Sequence, residues 1–183
     1  MNVKPTFLEG CFIVEPGVYK DNRGYFFESF NQQEFVGKTG VDVDFIQDNQ
    51  SFSTKGVLRG LHFQKGDFAQ AKLVRVVRGE VLDVVVDLRK DSKTFKQSFS
   101  VILNEKNNYQ LYIPRGFAHG FLTLSESSIF SYKCDNYYHK ESESGIRFDD
   151  ADLGIDWKWD KSEIILSDKD KELPSFKELL NEL

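Results

Sequence analysis

The sequence predicts a mainly β protein, a sandwich or barrel of short strands with short peripheral helices. Two observations carry this. β-prone runs recur at intervals of about eight to twelve residues with turn signals between them, and no helical segments alternate with them as βαβ units would require. Helical patterning is confined to a single turn near residue 32 and to the end of the chain.

The elements follow in order. "GCFIVEP" and "GYFFESF" are short strands around the turn-rich "GVYKDNRG". "NQQEFVG" reads as one helical turn, with Asn31 as cap, Glu34 three positions on and Gly37 as the stop. "VDFIQDNQSFS" is strand-like, and "KLVRVVRGEVLDVVVDLRKDS" gives two strands around Arg78 and Gly79. The second of these is almost continuous Val and Leu with Asp83 and Asp87 interleaved. "TFKQSFSVIL", "NYQLYIPRGFAHGFLTL" and "SSIFSYKCDNYYH" continue the series. At the end, "LPSFKELLNEL" places Phe176, Leu179, Leu180 and Leu183 on one helical face, with Ser175 and Glu178 as a capping box. This predicts a short helix over about 175–183 laid against the strands.

The 183 residues fit one domain over 1–183, in which roughly 70% of the unfolded chain's surface can be buried. A net charge of -5 argues against nucleic acid or an anionic membrane as partner. Cys11 and Cys134 form no CxxC pair, so neither a disulfide framework nor a zinc site is indicated. The start lacks a basic region followed by an apolar run, and no stretch approaches the ~18 apolar residues of a membrane span. These features point to a soluble protein of the reducing cytoplasm.

Strand alternation sends i, i+2 and i+4 to one face. Leu58, Gly60, His62 and Gln64 are therefore expected on one face, and Lys72, Val74 and Val76 in another row. Phe130, Tyr132, Cys134, Asn136 and Tyr138 share parity if their segment stays extended. With these rows turned inward, a histidine, a glutamine, a lysine and two tyrosines converge in an apolar cavity. A buried lysine is costly unless it is paired or has a task. Arg59 has the opposite parity to His62 and reaches the same cavity only if the strand bends, with Gly60 as the place to bend.

"GLHFQ", "KLVRVVRG" and "PRGFAH" together resemble the two signature motifs of cupin β-barrels, which implies a cupin jelly roll. Metal-binding cupins supply histidines and a glutamate from these motifs. Here Gln64 takes a histidine's place and Lys72 the glutamate's, leaving His62 and His119. An ammonium where a carboxylate ligand belongs repels a cation, so the expectation is a cupin without metal. The wider series is closer still. "RGYFFESF", "QDNQSFS", "GVLRGLHFQ", "AQAKLVRVVRGEV", "YIPRGFAHGF", "YKCDNYYHKESESGI" and "ILSDKDKELP" resemble, in order, the blocks of the dTDP-4-dehydrorhamnose 3,5-epimerase family.

The resemblance implies epimerisation of dTDP-4-keto-6-deoxy-D-glucose at C3 and C5, in dTDP-L-rhamnose biosynthesis. Both carbons lie beside the C4 ketone, so the reaction needs a base, a stabiliser of the enolate oxygen and an opposed acid. It requires no cofactor. By matching position, His62 is the base, Asp170 its partner, Tyr132 the acid and Lys72 the enolate stabiliser. From the residues alone, "SDKDKE" is a charge run that leaves Asp168 and Asp170 equally open. The resemblance further implies substrate contacts at Arg23, Glu28, Gln47, Asp48, Asn49, Arg59, Lys72, His119, Tyr138, Glu143 and Lys169. Tyr138 corresponds to an aromatic stacked on thymine. A homodimer with exchanged N-terminal strands is implied as well, with Arg23 and Glu28 serving the neighbour's site. Two stretches depart from the family pattern, "KGD" after "HFQ" and "FDDA" at Phe148 to Ala151. Three rival readings stay open: a nucleotide-sugar enzyme acting on one centre (a 3- or 5-epimerase or a ketoisomerase), a metal cupin such as a dioxygenase, and a non-catalytic sugar-binding barrel.

Overall fold

The computed structural model describes residues 1–181. Its first half comprises β1 (Asn2–Pro5), β2 (Phe12–Glu15), β3 (Tyr19–Asp21), β4 (Gly24–Phe26), α1 (Gln32–Thr39), β5 (Gln47–Thr54), β6 (Leu58–Gln64), β7 (Lys72–Arg78) and β8 (Glu80–Asp87). The second half adds β9 (Ser98–Asn104), β10 (Gln110–Ile113), β11 (Phe117–Thr123), β12 (Ser127–Cys134), β13 (Glu143–Gly145), α2 (Asp168–Lys171) and α3 (Phe176–Leu180). Strand order is β1-β2-β10-β7-β12-β5 in one sheet and β13-β6-β11-β8-β9 in the other, while β3 and β4 form a separate hairpin. All pairings within the sheets are antiparallel. The result is a cupin-like jelly roll: the strand spacing predicts a sandwich or barrel, and the motif resemblance implies this form of it.

The core between the sheets takes Val74 and Val76 from β7, Val81 and Val85 from β8, Phe121 from β11 and Phe130 from β12. Both sheets are also covered on parts of their outer faces. The C-terminal segment lays Ile146, Trp157, Phe176 and Leu179 over Leu61, Leu82, Val84 and Val86. On the other side, Phe35 of α1 packs with Val14, Leu73 and Tyr112. Burial of both faces explains why β8 reads as an almost unbroken apolar run. Its alternation puts Asp83 in the inward row with Val81 and Val85, where a carboxylate needs a partner.

Several expectations change in detail. Gly37 lies inside α1, and the helix stops at Gly40, whose φ of 69° lets its N–H reach Val36 O. Asn31 caps the helix as expected, accepting from Glu34 N. β12 ends at Cys134, so Asn136 and Tyr138 do not continue its alternation. In α3 the Ser175–Glu178 capping box is present, Phe176 and Leu179 are fully buried, and Leu183 lies outside the described residues. The divergent "FDDA" loop is tied to this helix, because Asp150 accepts from Asp152 N, Leu153 N and Phe176 N.

Leu58 does not share a face with His62. It joins Leu61 and Phe63 in the outer cluster. The cause is a register irregularity with β11, where His119 opposes His62 but Phe121 opposes Arg59. Two residues of β6, Gly60 and Leu61, thus stand against the single Gly120 of β11, and the extra residue turns Arg59 and His62 toward the same side. Gly60 makes this possible. Its φ is 117°, and a Cβ there would sit 2.6 Å from His119 O and 2.7 Å from Gly120 Cα.

At the far end of β8, Asp87 is buried and accepts from Arg89 (Nη2, 2.8 Å), Ser92 Oγ (2.6 Å) and Thr94 Oγ1 (2.7 Å). Burial opposes its ionisation, but these donors prevail and bring the carboxyl down to about 2.

Two outcomes follow from this packing. Gly60→Ala is expected to lower unfolding free energy by about 2 kcal/mol or more in urea titrations, because backbone must move. Asp87 is depressed in the folded state, so its contribution is complete above the ordinary carboxylate value of 3.8 and lost as pH falls toward 2. Unfolding measured across that window should show a loss of about 2 kcal/mol that Asp87→Asn lacks.

Candidate active site

A cavity of about 290 Å³ opens between the two sheets. The five-stranded sheet contributes His62 from β6 and His119 from β11, the opposed pair at the register irregularity. The six-stranded sheet contributes Lys72 from β7 and Tyr132 from β12. Imidazoles therefore line one wall, and an ammonium and a phenol the other. Apolar Phe121 and Phe130, stacked 4.1 Å apart, also face it.

His62 Nε2 lies 2.6 Å from Asp170 Oδ1. Asp170 is buried while Asp168 is exposed and pairs with Lys171, which separates the two carboxylates that the charge run left open. The local reason is helical. Ser167 caps α2 by accepting from Asp170 N, and the turn that follows aims Asp170 at β6. Burial disfavours the Asp170 charge, but the His62 ring, Ser167 and the Gly60 backbone outweigh it and hold the carboxyl below its usual range. Asp170 is therefore ionised at neutral pH and fixes the Nε2–H tautomer of His62, leaving Nδ1 as the basic nitrogen.

His119 has a parallel arrangement, its Nε2 2.9 Å from Asp83 Oδ2. Asp83 is a site residue that the sequence reading did not assign. Its signal was present as a carboxylate in a Val run, but its partner lies on a later strand and is set by antiparallel pairing. Asp83 Oδ1 is buried without a hydrogen-bond partner among the described residues.

Lys72 opens onto the cavity, and among the described residues it forms no ion pair. Desolvation pushes its pKa below 10.5, against the pull of Cys134, Asp83 and Glu143. Burial raises the Tyr132 phenol above 10, so it keeps its proton at neutral pH. Cys134, whose Cα pairs with that of Lys72, is buried and pushed up to about 11, chiefly by desolvation. Ser51 and Ser167 also line the cavity, and no sequence signal marked them. Among the described residues no group of three or more His, Cys, Asp or Glu is placed to hold a metal ion, and no helix is long and apolar enough to cross a membrane.

The other expected residues divide into two groups. Arg59 lines the cavity and is steadied by donating to Ser53 Oγ and Phe52 O. Lys169 lines it too and pairs with Glu143 at 2.5 Å, and Glu143 accepts from Tyr138 Oη at 2.7 Å. Tyr138 N donates to Gln47 Oε1, and Gln47 Nε2 donates to Asn49 Oδ1. Lys169, Glu143, Tyr138, Gln47 and Asn49 thus form one connected chain. Asp48 alternates to the outer face of β5, where it is exposed and pairs with Lys133 at 2.9 Å. Arg23 sits on the β3–β4 hairpin, paired with Asp21 and 87% exposed, and Glu28 accepts from Asn31. None of these last three lines the cavity of its own chain.

Comparison with known proteins adds a second line. Residues 5–178 match the family described as dTDP-4-dehydrorhamnose 3,5-epimerase. The Escherichia coli protein of that name is 51% identical over 180 residues, covering 98% of this chain and 97% of its own. A crystal structure of the Elizabethkingia anophelis dTDP-4-dehydrorhamnose 3,5-epimerase superposes with a TM-score of 0.94 at 53% identity, covering 97% of each chain. A Legionella pneumophila dTDP-6-deoxy-D-glucose-3,5-epimerase, solved in complex with dTDP-4-keto-L-rhamnose, gives 0.92 at 46% identity, with 96% of this chain and 93% of that one covered. With the match running through both sheets and across every wall of the cavity, this chain belongs to the dTDP-4-dehydrorhamnose 3,5-epimerase family.

Proposed function

We propose that this enzyme converts dTDP-4-keto-6-deoxy-D-glucose to dTDP-4-keto-L-rhamnose by inverting C3 and C5, within dTDP-L-rhamnose biosynthesis. One observation carries the assignment of roles: the His62–Asp170 pair faces Tyr132 and Lys72 from the opposite sheet across one cavity. His62 removes the proton alpha to the ketone, and Asp170 stabilises the imidazolium that results. The electron pair moves onto the C4 oxygen as an enolate, which the Lys72 ammonium stabilises in the desolvated cavity. Tyr132, still protonated, returns a proton from the other face. The sequence repeats at the second carbon after the two side chains exchange protons with water. His119 contacts the sugar from beside His62.

Arg59 and Lys169 supply the positive charge for the diphosphate. Tyr138 stacks on the thymine ring, with Gln47, Asn49 and Glu143 around it. Arg23 and Glu28 support a homodimer with exchanged N-terminal strands, because the N-terminal segment that carries both lies off its own cavity. The hairpin carrying Arg23 exposes Tyr19, Tyr25 and Phe26, which suits burial against a second copy. Two free, buried cysteines accord with the reducing cytoplasm.

In D₂O the enzyme is expected to label both C3 and C5 of the 4-keto sugar; one labelled carbon would indicate a single-centre epimerase. His62→Ala should reduce exchange at both by about 10²–10⁴-fold. Tyr132→Phe should spare exchange more than product formation. For the dimer, sedimentation should give twice the chain mass. Co-expressed Arg23→Ala and His62→Ala chains should recover activity that neither variant has alone, since one mixed site is then intact.

A further inference from the structure

Gln64 ends β6, is buried, and does not line the cavity. Its amide nevertheless engages both N–H donors and its oxygen, and all three partners are backbone atoms. Nε2 donates to Phe68 O at 2.7 Å and to Tyr137 O at 3.1 Å, while Oε1 accepts from His139 N at 2.7 Å. Two of these partners flank Tyr138, the carbonyl before it and the N–H after it. The third belongs to the loop joining β6 to β7, and from that loop the Phe68 ring stacks on the His139 imidazole at 3.8 Å and 7°. One buried side chain thus fastens both peptides around Tyr138 and the loop beside it.

Tyr138 itself is 55% exposed and lies beyond the end of β12. An exposed aromatic on an irregular segment loses conformational freedom when a ligand stacks on it, and a backbone already fixed avoids that loss. The grip demands two N–H donors and one acceptor at the end of a side chain, which a glutamine amide supplies and a carboxylate does not.

We propose that Gln64 is a positioning residue for the nucleotide end of the site, holding Tyr138 in its stacking pose. This rests on the reading that Tyr138 stacks on the thymine ring. Gln64 stands two residues beyond His62, so the reacting end and the base end are both set from one strand.

The test uses the full chain, calorimetric titration with dTDP and steady-state kinetics on the nucleotide 4-keto sugar. Gln64→Leu should weaken dTDP about tenfold and raise KM in proportion, with kcat falling by no more than about twofold. In a Tyr138→Ala background the same change should add less than about twofold. Should Gln64→Leu fail to fold, Gln64→Glu keeps the acceptor toward His139, loses both donors and should weaken dTDP in the same direction. Unchanged dTDP affinity in the Gln64 variant, a loss confined to kcat, or an equal loss with and without Tyr138 would each overturn the proposal. If Tyr138→Ala alone leaves dTDP affinity intact, the stacking reading itself falls and the positioning role with it. The two single variants therefore tell the failures apart.

Discussion

The site depends on one backbone constraint, the extra residue that β6 carries against β11 at Gly60. A regular strand would send Arg59 and His62 to opposite faces, one into the cavity and one into the outer cluster. The irregularity lets both reach the same void while Leu58 and Leu61 stay together behind the sheet. It works only because the residue there has no side chain to meet the backbone of β11. Fold and site are thus not separable at this point. The same local geometry that seals the outer cluster sets the angle from which the imidazole enters.

The two walls divide the chemistry by charge type. Each histidine on the five-stranded wall has its Nε2 within hydrogen-bond distance of a buried aspartate behind it. The opposite wall carries proton-bearing groups, Lys72 and Tyr132, whose surroundings shift them in opposite senses through the same cause. Desolvation lowers an ammonium and raises a phenol, because in each case it disfavours the charged form. That arrangement keeps the phenol protonated and weakens the hold of the lysine on its proton.

Much of this was legible in the sequence, and the reasons differ by residue. Parity grouped His62, Lys72 and Tyr132 into rows, since a period of two holds wherever strands stay regular, but it left open which face of each row turns inward, and for Leu58 the grouping failed at the bulge. Arg59 needed the bend, and parity alone predicted only that a bend was required. Asp170 was not readable from "SDKDKE", because what distinguishes it from Asp168 is a helical turn begun by Ser167. Gly40, not Gly37, ends α1, because a glycine in the sequence marks only where a stop can lie, whereas the backbone shows which one adopts the left-handed conformation. Arg23, Glu28 and Asp48 matched by position yet lie off their own cavity, a matter of where a hairpin goes and which way one strand residue faces.

The buried thiol of Cys134 beside Lys72 has a wider consequence. Burial pushes the Cys134 thiol up to about 11, which keeps it protonated at physiological pH and a poor nucleophile. Cys11, raised further to about 12, is equally inert. A small thiolate fraction at both cysteines slows their alkylation and oxidation alike.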